Sequence, residues 1–161
     1  MEQQDKTMCC PPFDPTPWTD KEIVWQNKLF IKDKVAAFFH FPLNMGAVIT
    51  RMWKKVTDAN AQTEMNDWIL LSDEVSPWTS IQLMAVTKEV PGAENVSLSG
   101  TFLTKVFEGP YKNAPQWYAQ MNEYVKEKGY ETKKFYFYYT TCPTCAKKYG
   151  KNYVVTIAQI K

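Results

Sequence analysis

Apolar positions along the chain follow two rhythms. In "NMGAVITRMWKKVTDAN" the residues Met45, Val48, Ile49, Met52, Trp53 and Val56 recur every three or four positions, so a helix there has one apolar stripe. "NAPQWYAQMNEYVKEKG" repeats the pattern through Ala114, Trp117, Tyr118, Met121 and Val125. Asn113 is placed to cap that helix, Pro115 fits its first turn and Gly129 can end it. The runs "KVAAFFHFP", "DWILL", "SIQLMAVT", "SGTFLTKVFEGP", "KKFYFYYTT" and "NYVVTIAQI" are short, rich in β-branched and aromatic residues, and read as strands. Turn-forming stretches such as "SDEVSPWT" and "EVPGAEN" separate them. Residues 9–18, "CCPPFDPTPW", hold four prolines, which exclude helix and central strand and predict an extended arm wrapped on the body.

The order strand, helix, strand, strand thus occurs twice. "FFHFP" and "FEGP" stand in matching places before the two helices; Val56 follows Pro42 by 14 positions and Val125 follows Pro110 by 15. This repetition predicts a single α+β domain over residues 1–161, made of two pseudo-repeats: an arm over 1–28, a first repeat over 29–97 and a second over 98–161.

Composition narrows the class. The chain has 161 residues, 45% hydrophobic and 15% aromatic, enough to bury one sizeable core. Nineteen Lys and Arg against 17 Asp and Glu leave a net charge of +2, which weighs against the strongly basic face that nucleic acid demands. No apolar run approaches the roughly 20 residues of a membrane helix. "MEQQDKTM" carries no secretory pattern, which predicts a cytoplasmic protein with reduced cysteines.

"FLTKVFEGPYKNAPQWYAQMNEYVKEKGY" resembles the strand, Gly-Pro-Tyr turn and amphipathic helix of GyrI-like small-molecule-binding domains. The resemblance is best over residues 98–139, and the first repeat follows it in pattern. It implies an antiparallel sheet with two main helices on one side and a ligand groove between the two copies. Family members act as effector domains of drug-sensing regulators, as stand-alone binders of cationic or planar toxins, and in one branch as hydrolases of genotoxins. The resemblance therefore implies a stand-alone binder of a planar, aromatic or cationic molecule, and leaves open whether that molecule is also hydrolysed. Two departures stand out. The last strand offers Thr156 and Gln159 where cation-binding members commonly place a carboxylate, and the cysteine-bearing segments belong to no general family pattern.

Three sets of residues can carry chemistry. Cys142 and Cys145 in "TTCPTCAKKYGKN" have the spacing of a zinc knuckle, which Cys9 and Cys10 can complete if the arm folds back. A structural zinc ion, a redox pair and plain thiols remain open readings. His40 and Glu108 occupy equivalent strand ends, and an imidazole beside a carboxylate can serve as general acid or base; a salt bridge is the plainer alternative. Trp53, Trp68, Trp78, Trp117, Tyr118, Tyr136 and Tyr138 can wall a cleft that stacks a flat cation, against ordinary core packing for any one ring. The rival class is a zinc-stabilised interaction module or single-stranded nucleic-acid binder working through Lys147, Lys148 and Lys151.

Overall fold

The computed structural model describes residues 13–39, 41–64, 67–140, 150 and 152–161. Its elements are β1 (Lys21–Phe38), β2 (Phe41–Pro42), α1 (Met45–Asp58), β3 (Leu70–Ser76), β4 (Thr79–Ala85), β5 (Glu94–Glu108), α2 (Ala114–Glu127), β6 (Lys134–Tyr139) and β7 (Tyr153–Gln159). Both helices form where the apolar stripes place them, burying Val48, Met52 and Val56 from α1 and Trp117, Met121 and Val125 from α2. Asn113 precedes α2 but its side chain makes no capping hydrogen bond; Gly129, at φ +83°, turns the chain out of the helix as expected.

The sheet differs from the flat layer expected. Antiparallel pairs join β1, β4, β3, β6, β7 and β5 in that order, and β5 pairs again with β1, closing a six-stranded barrel with β2 appended to β1. Strand length explains the closure. The C-terminal half of β1 pairs with β4, from Phe30↔Ala85 to Ala36↔Thr79, while its earlier part pairs with β5, from Lys21↔Thr104 to Lys32↔Glu94. An 18-residue strand that serves two neighbours must coil, and coiling brings the sheet's two edges together. β1 accordingly starts at Lys21, within the segment read as an arm.

A register shift between Trp25 and Lys28, with Asn27 at φ +52°, marks a bulge in β1. The backbone N–H of Asn27 donates to Ser99 Oγ at 2.8 Å across it. The extra residue reverses the alternation, so that Ile23 and Trp25 before it and Phe30 after it all face the barrel interior.

That interior is solid. Phe30, Leu71, Leu83, Phe102, Tyr136, Tyr138, Val155 and Ile157 fill it with Trp25, and the N-terminal segment adds Phe13 and Trp18. Trp18 lies 5.7 Å from the Tyr138 ring, and Thr104 Oγ1 donates to the Trp18 carbonyl at 2.7 Å, fixing this plug. Both helices lie outside the barrel, α1 against β1 and α2 against β7 and β5. No helix among the described residues is long and apolar enough to cross a membrane.

Candidate functional site at the seam between the helices

Because the barrel is filled, a site has to lie on its outer surface. With α1 on β1 and α2 on β7 and β5, the outward positions of β4, β3 and β6 run across the seam between the helices, from the α1 core, which takes in Met84 and Leu70, to the α2 core, which takes in Phe135, Phe137 and Tyr139. Those positions are Ser80, Gln82 and Met84; Leu70, Ser72 and Glu74; and Phe135, Phe137 and Tyr139. One cross-strand row runs Asp33, Gln82, Ser72, Phe137, Thr156 and Lys105 through successive registered pairs. The α1 side of the seam is therefore polar and the α2 side aromatic.

Tyr139 stacks on Phe137, with centroids 5.6 Å apart and planes 18° apart, and its hydroxyl donates to Glu74 Oε1 at 3.1 Å. Gln82 Nε2 donates to Ser72 Oγ at 2.9 Å and to Ser80 Oγ at 3.1 Å. Gln82 Oε1 is buried with no hydrogen-bond partner, an arrangement that costs about 1–3 kcal/mol. Arg51 of α1 reaches back to β1, its Nε donating to Asp33 Oδ2 at 2.8 Å, and this bond, with the guanidinium charge, holds the Asp33 carboxyl below its usual value.

The seven rings divide among four places. Tyr136 and Tyr138 face the barrel interior: burial, with the Asp73 carboxylate adding to it, pushes the Tyr136 hydroxyl up to about 12, while Tyr138 donates to the Trp68 carbonyl at 2.9 Å. Trp117 is buried under α2, stacked on Phe107 at 5.9 Å, and Trp68 packs against the α1 core with its Nε1 buried and unpartnered. Trp78 belongs to the β3–β4 turn, where it meets Phe38 and Phe39 in an exposed cluster. The last two rings are exposed on the helices, and Tyr118 is the one that meets the seam. Tyr118, half exposed, meets Phe135 edge-on at 4.7 Å. Trp53, 43% exposed on α1, lies about 200° around the helix from Arg51 and meets none of the other six rings.

Glu108 ends β5 exposed to solvent, at the opposite end of the antiparallel β1–β5 pair from Phe38. His40, Cys9, Cys10, Cys142 and Cys145 lie outside the described residues. Among the described residues no group of three or more His, Cys, Asp and Glu can hold a metal ion. Two open surface concavities, about 660 Å³ along Gly46 to Asp58 and about 330 Å³ beside Lys105 and Tyr124, lie on the outer faces of the helices, away from the seam.

Glu74, Tyr139, Ser72 and Gln82 escaped the sequence reading. Gln82 did leave a signal, a lone amide at the centre of the apolar strand "SIQLMAVT". Tyr139 left none, because aromatic residues occupy both faces of "KFYFYY".

Closed barrel, outer helices and a seam that gathers buried polar groups beside stacked rings define an α+β domain. The chain belongs to the family described as bacterial hydrolase, whose model matches residues 1–160. It is similar to an uncharacterized conserved protein from Listeria innocua, with TM-score 0.65 and 10% identity over 89% of this chain and 92% of that one. It is also similar to a hydrolase from Listeria innocua, with TM-score 0.62 and 9% identity over the same 89% and 92%. A third structure is that of SAV2435 bound to tetraphenylphosphonium, with TM-score 0.52 and 14% identity over 88% of this chain and 93% of that one. At these identities the likeness is one of fold. No curated protein matches the chain.

Proposed function

We propose that the chain binds a small aromatic or cationic molecule in the seam between α1 and α2 and hydrolyses it, with Glu74 and Tyr139 as the reacting pair. The observation that carries this reading is the hydrogen bond from Tyr139 Oη to Glu74 Oε1 at 3.1 Å, set over the Phe135, Phe137 and Tyr139 rings. Stacked rings attract a flat cation, and a carboxylate beside them supplies its counter-charge. The bacterial hydrolase family, the resemblance to GyrI-like domains and the tetraphenylphosphonium held by SAV2435 support the same choice of ligand and reaction class.

In the proposed reaction, Glu74 takes a proton from water as the water oxygen bonds to the electrophilic carbon. The bond from that carbon to the leaving group breaks, and the Tyr139 hydroxyl protonates the group that departs. The proton on Glu74 then returns to the Tyr139 phenolate along their hydrogen bond, so one water is added and both residues are restored. The seam floor is buried in the free chain, with Ser72, Gln82 and Phe137 covered, so a ligand enters by moving the side chains above them.

Tryptophan fluorescence titrated with tetraphenylphosphonium and ethidium tests the binding. Quenching that weakens several-fold in Tyr118→Ala and Glu74→Gln supports the seam; wild-type quenching left unchanged by both variants rejects it. For the reaction, product formation from a panel of aromatic esters and strained-ring electrophiles should vanish in Glu74→Gln.

A structural zinc ion on Cys142, Cys145 and at least one of Cys9 and Cys10 is a second proposal. The described residues that flank these segments meet: Phe13 lies 5.9 Å from Tyr153, and Thr140 Oγ1 donates to the Tyr153 carbonyl at 2.6 Å. Cys10 and Cys142 are then only three and two residues from residues that converge, about 10 Å of chain at most. Metal analysis of the purified protein should find one zinc per chain that Cys142→Ala removes; a metal-free protein with an unchanged melting temperature overturns it.

A further inference from the structure

Gln82 sits at the centre of β4, in cross-strand register with Asp33 on one side and Ser72 on the other. It is 1% exposed, and both serine hydroxyls beside it receive hydrogen bonds from its amide nitrogen. Its carbonyl oxygen is buried and has no partner. Buried amide carbonyls are almost always paired, and a leucine or methionine here would pack without that cost. With the amide nitrogen turned to both serine oxygens, the carbonyl oxygen is left without a partner. Ser72 lies on the outer face of β3, and Glu74, two residues on within the register shift between Asp73 and Ser76, is placed on that face by the hydrogen bond it accepts from Tyr139. A hydrogen-bond acceptor and a carboxylate therefore face the same seam from neighbouring strands.

We infer that Gln82 is a specificity-determining residue of this seam, its carbonyl accepting a hydrogen bond from an N–H of the ligand, so that the favoured ligands are protonated amines or amidines on an aromatic body. This rests on the proposed binding seam and adds which cations it prefers. A cation without N–H groups gains the rings and the Glu74 charge but leaves Gln82 unpaired, whereas a protonated amine satisfies both acceptors. Charge is the same in both ligand types, and an N–H bond to Glu74 is common to the wild type and to a Gln82 variant, so the change in preference on replacing Gln82 isolates its share.

The test compares biphenylmethylammonium with its N,N,N-trimethyl derivative, which share ring body and charge and differ in N–H groups. Calorimetry on the wild-type protein is expected to show about tenfold tighter binding of the primary ammonium, the size of one hydrogen bond to a charged donor. In Gln82→Met that ratio should fall several-fold through loss of ammonium affinity alone, and in Gln82→Glu the preference should persist. A ratio that survives in Gln82→Met, or a wild-type protein that binds both probes equally, overturns the inference while leaving the binding seam standing. Binding of neither probe to the wild type overturns both. Should the variants fail to fold, the Gln82 side-chain NH₂ resonances of the wild type decide the matter. They should shift on titration with the ammonium and stay in place with the trimethyl form, and the same shift with both overturns the inference.

Discussion

Gly100 shows how one position constrains the whole barrel. It pairs with Trp25 at the edge of the β1 bulge, holds φ at +145°, and lies where the Lys161 carbonyl and the Gln159 amide occupy the place a Cβ would take. Gly100→Ala adds a backbone clash to a conformation that side chains avoid and should cost about 1–3 kcal/mol. Gly92, at φ +77° with open space around it, meets the conformational cost alone and should lose about 1 kcal/mol on the same replacement. Urea unfolding of the two variants separates clash from conformation. Tyr136 makes a prediction in pH. Its hydroxyl titrates at about 12 when folded and near 10 when unfolded, so below about pH 10 both states keep the proton and stability is level. Above that the unfolded chain releases its proton first, and stability should fall by up to about 1.4 kcal/mol per pH unit until the folded pKa is reached. Tyr136→Phe should flatten that part of the unfolding-midpoint profile between pH 9 and 12; an unchanged slope would place its cause elsewhere.

Among the elements, α2 sets a packed ring beside an exposed one in two adjacent residues. Trp117 is buried against Phe107, Phe137 and Val154, whereas Tyr118 is 49% exposed at the seam. Trp117→Ala should cost about 3–5 kcal/mol of stability, while Tyr118→Ala should stay within about 1 kcal/mol and act on ligand binding. Chemical denaturation and fluorescence titration of the pair check both halves. The helices were legible in the sequence because their polar residues fall between apolar ones at a fixed spacing, giving the pattern contrast. "KEIVWQNKLF" hid the start of β1 because the bulge at Asn27 breaks its alternation. "KFYFYY" hid the outer face of β6 for the opposite reason, since aromatic residues on both sides erase the difference between Tyr138 inside the barrel and Tyr139 outside it. Glu74 lay in a strand end that reads as a turn from "SDEVSPWT", and only the fold brings it under Tyr139.

At the scale of the whole molecule, closure depends on pairings that no local pattern records. β1 meets β5 across some 70 positions of chain, as in the bond between Asn27 and Ser99, and β3 meets β6 through Leu71↔Tyr138 and Ser72↔Phe137. These two lines of contact are the borders between the first four strands and the last three, and the covalent link between those sets is the turn over residues 86–93. Severing the backbone there should therefore leave two polypeptides that find each other again. Expressed separately, 1–90 and 91–161 would each present bare strand margins and precipitate; produced together, they should copurify and melt as one unit. A protein built this way is a natural split reporter, its recovery contingent on two cut pieces being brought face to face.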